Sequence, residues 1–475
     1  MLLPGEGSCI LPVVMRSNVS SADVVDQPGS SARVVMRDTP APGNLQLPNT
    51  APVTGAVAPR ARLDRWGGYF SFVRLLVLAA FLMRIIAALI LHQIVLGSGR
   101  GSFFTRGDEA AYDFVAWQLA QVWSGQLAAV HPSYTYLINA YTQTGGVIYL
   151  LVGHRAGAMI ALNCLFGALA AGVVYLATRR LFGELAARFA GIGMAFFPSL
   201  FFWSLFNMKD AMFVLALAVL IWAMTALLQT GKLWWLPVVF ASVFVLGSLR
   251  FYVQGLLTVL LPVAVLLQRR AVFPRRWRTA TLVLVGCGAL LLFSGSGVWL
   301  ANQLTTLTHI RYATAGDANS AFVPTPVVAT TTAAPGAAQV PPPVDSEATT
   351  RRGALRDLLH WLPIGLAYTL AAPFPWAVRR TVELMAMPEV FCWYGALALG
   401  ALGVFVRRQE WRRYLYLAAY IGALLLVMAI AESTTGTLLR HRTMVIPSLL
   451  VLSGAGASWL WQRLRGRSAI QVAES

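Results

Sequence analysis

Charge is scarce in this chain, and negative charge is scarcer still. Charged residues make up only 12% of the 475, with 37 Lys or Arg set against 19 Asp or Glu. A soluble domain carries roughly 25% charged residues, so the composition excludes that class. Cysteine is equally thin. Cys9, Cys164, Cys287 and Cys392 are scattered, and three of them sit inside apolar runs. That spacing excludes both a disulfide framework and a CxxC metal site. What is abundant is apolar: 57% of residues are hydrophobic and the mean hydropathy is +0.64. The formal net charge of +18 resembles a nucleic-acid signal. The arginines flank apolar runs, however, so the partner they imply is a lipid bilayer and not nucleic acid.

The fold class read from this pattern is an all-α polytopic membrane protein. Apolar segments near 72–96, 156–178, 189–206, 211–229, 233–249, 251–268, 279–299, 390–406, 414–431 and 443–461 approach the ~20 residues needed to cross a bilayer. They predict about ten transmembrane helices. Arg60, Arg62 and Arg65, then Arg179, Arg180 and Arg188, Lys232, the 268–278 stretch, Arg407, Arg408, Arg412 and Arg413, and finally Arg463, Arg465 and Arg467 recur on one side. By the positive-inside rule that side, with both termini, is cytoplasmic. Most acids after residue 66 then fall on the other face, so the charged chemistry is expected there.

The expected organisation is a disordered cytoplasmic tail over 1–66, rich in Ala, Pro, Ser and Val. A membrane domain follows over 67–466, and a short cytoplasmic tail over 467–475. Within the domain, 97–155 is the first large outward loop, with an aromatic–polar patch at Tyr134–Tyr141 and an interfacial helix at Gly145–Val152. Residues 300–360 form a second loop whose Thr/Ala/Pro/Val middle cannot pack a core. Leu358–Trp376 is read as re-entrant or interfacial, because a span there would move the Arg407–Arg413 cluster to the wrong side. Pro373 and Pro375 suit an element that breaks and returns.

The richest stretch is Arg106-Gly107-Asp108-Glu109, just past the first apolar run, with Tyr112 and Asp113 one helical turn further on. A carboxylate at a membrane–water boundary can do acid–base chemistry. The plainer reading is that Asp108 caps the helix that follows, although a cap does not account for three acids within six residues. Lys209-Asp210 falls in a short outward turn, where Asp210 is either functional or a helix-start residue suited to the dipole. Arg250, followed by Phe251 and Tyr252, lies in the next outward turn. An arginine between two membrane helices is costly unless it is paired or binds an anion. The last outward loop runs from Glu432 to Arg440, His441 and Arg442. Its cations suit a phosphate, and its plain alternative is a solvated loop. Arg84 and His92, inside the first span, read as packing or snorkelling residues.

Taken in order, these motifs resemble the bacterial branch of the GT-C superfamily, the polyprenyl-phosphate-sugar-dependent membrane glycosyltransferases. Relatives include protein O-mannosyltransferases, lipid A aminoarabinose transferases and rhizobial lipopolysaccharide glycosyltransferases. The resemblance runs over Ser71–Arg465. It rests on Gly107-Asp108-Glu109 with Tyr112-Asp113, on Leu162–Arg188, and on Phe197-Pro198-Ser199 running into Lys209-Asp210. The Leu362–Trp376 segment and Gly436–Arg442 complete it. The chain departs from that pattern in lacking a folded soluble domain in its long late loop.

The resemblance implies a GT-C-like helix arrangement with interfacial helices in the first periplasmic loop, in a bacterial inner membrane with the active site periplasmic. It implies that a sugar moves from a polyprenyl-phosphate donor to a hydroxyl acceptor on a glycan or protein, with inversion. A first-loop acid, Asp108 or Glu109, is the expected base. Arg106, Tyr112, Asp113, Lys209, Asp210, Arg250, Tyr252, Arg440, His441 and Arg442 are the expected substrate and phosphate contacts. No metal site of recognisable spacing is present, so no cofactor is expected, with a divalent ion on the acids as the alternative. A polysaccharide polymerase or ligase and a lipid-linked-sugar flippase are the other classes considered. The flippase would predict repeated halves with paired broken helices, and no internal repeat is found.

Overall fold

The computed structural model describes residues 59–97, 108–268, 275–293, 351–377, 384, 386–432 and 434–474. The expectations placed on Arg106 and Gly107, on residues 1–58 of the tail and on most of the 300–360 loop lie outside these residues. Those described form α-helices joined by short 3-10 turns, with no β-sheet among them. In chain order the helices are α1 (Pro59–Gly97), α2 (Asp108–Trp123), α3 (Ala140–Val152), α4 (Ala156–Phe182) and α5 (Glu184–Phe196). Next come α6 (Pro198–Trp203), α7 (Asp210–Thr230), α8 (Leu236–Leu249), α9 (Phe251–Leu266) and α10 (Arg276–Phe293). The chain closes with α11 (Arg351–Ala371), α12 (Met387–Val406), α13 (Leu415–Ala431), α14 (Thr435–Arg442) and α15 (Ile446–Glu474).

The apolar runs do become helices, but fewer than ten are long enough to cross a bilayer alone. Among the described residues Ser71–Ile94, α4, α7 and α12 meet the length and apolarity of a span. A fifth is formed if α14 and α15, bent by 62° at their junction, count as one broken span. The run at 189–206 is split at Phe197-Pro198, where Pro198 opens α6 and cannot donate a backbone hydrogen bond to α5. Apolar stretches in α8, α9 and α13 are shorter. Helix α1 begins at Pro59, before the apolar run, and α15 continues to Glu474. The 358–376 segment is one helix through Pro363 to Ala371, and it breaks where Pro373 and Pro375 stand.

Small residues decide which helices touch. On α12 and α15 the backbones approach so closely that a Cβ at Gly456 would lie 2.0 Å from the Leu399 carbonyl oxygen. Ser453 Oγ ties the same pair by donating to the Ala396 carbonyl at 2.7 Å. Contact of this kind substitutes for a hydrophobic driving force that lipid does not supply between helices. The buried face of α4 is likewise Gly, Ala and Val, from Gly167 to Val174. In α1 the pattern is inverted relative to a soluble helix. Leu75, Leu78, Leu82, Ile86, Leu89 and Ile90 are exposed, whereas Arg84 is fully buried.

The two ends of the bundle differ in chemistry. At one end Arg179 and Arg188 flank Glu184, Phe182 packs on Tyr414, and Gln268 Nε2 donates to the Arg412 carbonyl at 2.7 Å. At the other end the short segments after α6, α8 and α13 meet the start of α2. Both ends carry charges of both signs, exposed at the first and largely buried at the second.

Candidate functional site

The site is built where α2, α7 and α14 begin or end. Asp108 is the first residue of α2 and Asp210 the first of α7. Arg440, in the last turn of α14, bridges them. Its Nη1 donates to Asp108 Oδ2 at 2.6 Å, while Nε and Nη2 donate to Asp210 Oδ2 at 3.0 and 2.8 Å. Asp108 thus spends its carboxylate on a partner 332 residues away, which goes beyond the helix-cap reading. Its side chain is 53% exposed, whereas that of Asp210 is 5% exposed. Arg250, between α8 and α9, reaches Asp210 Oδ1 at 3.6 Å. Trp203 lies under the Arg440 guanidinium, with its ring centroid 5.5 Å away.

Lys209 completes the cationic group. Its Nζ donates to the Leu249 carbonyl at 3.0 Å and stands 5.5 Å from the centre of the Tyr112 ring. Burial, with the Arg250 charge next to it, pulls the ammonium down to about 8. Burial, with Asp108 nearby, pushes the Tyr112 phenol up to about 12, so it stays a neutral hydroxyl. The buried charges Asp210, Arg250 and Arg440 are each satisfied because the others are present, which is the condition for keeping charge out of water.

Glu109 and Asp113 do a different job from Asp108. They lie four residues apart on the buried side of α2 and together hold Asn207. Glu109 Oε1 accepts from the Asn207 backbone N–H at 3.2 Å, and Asp113 Oδ1 accepts from Asn207 Nδ2 at 3.2 Å. Tyr141 donates its hydroxyl to Asn207 Oδ1 at 2.6 Å. Asn163 Nδ2 reaches Tyr141 and the carbonyls of Phe206 and Met208 at 2.9, 2.6 and 3.0 Å. Tyr149 donates to Asp113, whose other oxygen meets His154 Nε2 at 2.7 Å. This network clamps the 204–209 loop, and so sets where Lys209 and Asp210 stand.

The expected residues therefore divide. Asp108, Tyr112, Lys209, Asp210, Arg250 and Arg440 converge, with Tyr252 beside Arg250. Tyr252 also donates to Met444 Sδ at 3.5 Å. His441 turns away from the cluster, and its Nδ1 meets the Glu432 carboxylate. Burial raises the Glu432 carboxyl, but the His441 charge outweighs it and the group sits below its ordinary range. Arg442 does not join the cluster. It is fully buried and donates to the Tyr368 and Thr369 carbonyls at the end of α11, over the Trp393 ring. An arginine two residues from Arg440 on a helix points to another face, so its role here is to anchor α14. Asn163, Asn207, Tyr141 and Trp203 were missed as site residues. The available signal was Asn163 and Asn207, amides standing inside otherwise apolar runs. Among the described residues no three His, Cys, Asp or Glu side chains converge as metal ligands would.

Residues 130–299 match the model of a family described as dolichyl-phosphate-mannose-protein mannosyltransferase. Over that segment the chain is similar to that family. The matched stretch contains Lys209, Asp210 and Arg250, while Asp108 and Arg440 are joined to it by the geometry above. No curated protein matches the chain. Among solved structures, it is similar to ArnT from Cupriavidus metallidurans bound to undecaprenyl phosphate, with TM-score 0.46 and 16% sequence identity. That alignment covers 86% of this chain and 64% of ArnT, so the chain spans less than two thirds of that protein's length.

Proposed function

We propose that this chain is an integral membrane glycosyltransferase that moves a sugar from a polyprenyl-phosphate donor to a hydroxyl acceptor. The observation that carries the reading is Arg440 held between an exposed acid, Asp108, and a buried one, Asp210. The family matched over 130–299 is described by a dolichyl-phosphate-linked sugar, which supports a lipid-phosphate donor. The exposed Asp108 takes the proton of the acceptor hydroxyl as its oxygen attacks the anomeric carbon. The bond from that carbon to the phosphate oxygen breaks on the opposite face, giving inversion. The electron pair leaves with the lipid phosphate. Arg440, Arg250 and Lys209 stand where the charge growing on that phosphate can be stabilised. Glu109 serves by fixing the 204–209 loop and not as the base.

The arginine-rich bundle end is cytoplasmic in this reading and the acid-bearing end periplasmic, in a bacterial inner membrane. The acceptor is a lipid-linked glycan, polysaccharide or protein hydroxyl. The test is transfer from a radiolabelled lipid extract by the purified full chain. Asp108→Asn keeps size and polarity but cannot take a proton, and should lower transfer at least ~100-fold, at the low end of what one general base contributes. Because Asn caps a helix about as well as Asp, full activity in Asp108→Asn would return this residue to a structural role.

A further inference from the structure

Arg442 is fully buried, and its hydrogen bonds run to neutral acceptors. Nε and Nη2 donate to the Thr369 carbonyl at 3.1 and 2.8 Å, and Nη2 also donates to the Tyr368 carbonyl at 3.2 Å. Its Nη1 has no hydrogen-bond partner. Carbonyls satisfy N–H groups but do not cancel a charge, and a cation buried in a membrane bundle needs an acid nearby. The first turns of α12 supply one. Trp393 lies under the Arg442 guanidinium, its ring centroid 5.0 Å away, and donates Nε1–H to the Leu370 carbonyl at 2.9 Å. Tyr394 donates its hydroxyl to the Ala371 carbonyl at 2.6 Å. The start of α12, the end of α11 and Arg442 therefore form one tied unit. Glu389 precedes Trp393 by four residues, on the same face of α12 and one turn nearer the end that holds the site. Among the described residues Glu389 is the acid whose charge acts on Arg442, and Arg442 acts on Glu389 in return. Ser199 of α6, itself buried, stands next to the Glu389 carboxyl, whose Oε1 accepts no hydrogen bond.

These contacts bear on the site through α14. A helix of eight residues is too short to hold its place alone, so its side chains must fix it. Arg440 and Arg442 stand about 200° apart around its axis, so pinning one face sets the direction of the other. Helix α6 spans the same two places, with Ser199 beside Glu389 and Trp203, four residues on, under Arg440. We propose that Glu389 is a positioning residue for Arg440: its carboxylate balances Arg442 inside the bundle, and the two fix the face that α14 turns toward Asp108 and Asp210. The inference deepens the donor reading and rests on it for its functional meaning. The plainer account is that an acid in the first turn of α12 suits the helix dipole. That account predicts no effect at the site.

The test is binding by the full chain in detergent, with undecaprenyl phosphate as the probe. Glu389→Gln keeps the shape but not the charge, and should weaken binding ~10-fold, whereas Glu389→Asp, which keeps the charge, should lose no more than ~3-fold. In an Arg442→Met background the Glu389→Gln loss should shrink to under ~2-fold, because no buried cation is left to balance. In an Arg440→Met background it should shrink likewise, since the effect reaches the probe through Arg440. A ~10-fold loss that persists in either background would overturn the proposal, as would binding by Glu389→Gln within ~2-fold of the unmodified chain. If Glu389→Gln alone does not fold, the double variant with Arg442→Met, which removes both charges, should fold; a double variant that stays unfolded would overturn the pairing. If the unmodified protein does not bind the probe, the donor reading fails, and Tm decides the link by itself. Shifts of Glu389→Gln and Arg440→Met that are non-additive support it, and additive shifts overturn it.

Discussion

The two ends of this bundle use the same side chains for opposite purposes. At one end Glu184 sits between Arg179 and Arg188, and Glu410 between Arg407 and Arg413, all with side chains 35–58% exposed. At the other end Asp210 and Arg440 are 5% and 14% exposed, with Arg250 at 16%. Water screens the first set, so each pair there is worth roughly 0–1 kcal/mol. The second set has lost its water, and each charge depends on its neighbours to remain charged at all. An ion pair in a membrane protein is therefore informative in proportion to its burial. The exposed pairs are screened by water, and the buried ones hold one another's charge.

Breaking the buried end should produce the largest effect. Asp210→Ala leaves Arg440 and Arg250 facing each other out of water, and should destabilise the protein by about 3–5 kcal/mol. Denaturant unfolding in detergent measures it. A loss below ~1 kcal/mol would erase the difference between the two ends.

Lys209 sharpens the comparison through pH. Its charged form is disfavoured in the folded protein, with a folded value of about 8 against an ordinary value of roughly 10.4. Between those values the unfolded chain binds more protons, so stability should rise with pH across that window. Affinity for a lipid phosphate should move the other way, falling above pH about 8 as the ammonium is lost. Titrating undecaprenyl phosphate from pH 7 to 9 tests this, and Lys209→Arg should flatten the curve. A fall in affinity of the same size and midpoint in Lys209→Arg would assign the effect to another group.

The smallest change is expected at the exposed end. Glu184→Gln should cost no more than ~1 kcal/mol and leave transfer unaltered, since its pairs with Arg179 and Arg188 lie where water screens them. A shift in unfolding midpoint as large as that of Asp210→Ala would mean that burial does not separate the two ends.

Much of this protein is legible in the order of its residues. The apolar runs announced a helical membrane protein. Asp108, Lys209, Asp210, Arg250 and Arg440 could be picked out because a charge beside an apolar run is costly and must have a reason. Which of them meet could not be read, because Arg440 and Asp108 stand 332 residues apart and no local periodicity encodes a contact of that range. Nor could the separation of Arg440 from Arg442, which depends on the face each occupies on an eight-residue helix. The division of labour between Asp108 and Glu109 has the same origin. Adjacent residues on a helix point about 100° apart, so one carboxylate faces the open side and the other turns inward to Asn207. Composition and periodicity determine what a segment must bury. Only the packing of distant segments decides which buried charges share a partner, since that depends on distances of a few ångströms set by the small residues where helices touch and by the Asn207 network.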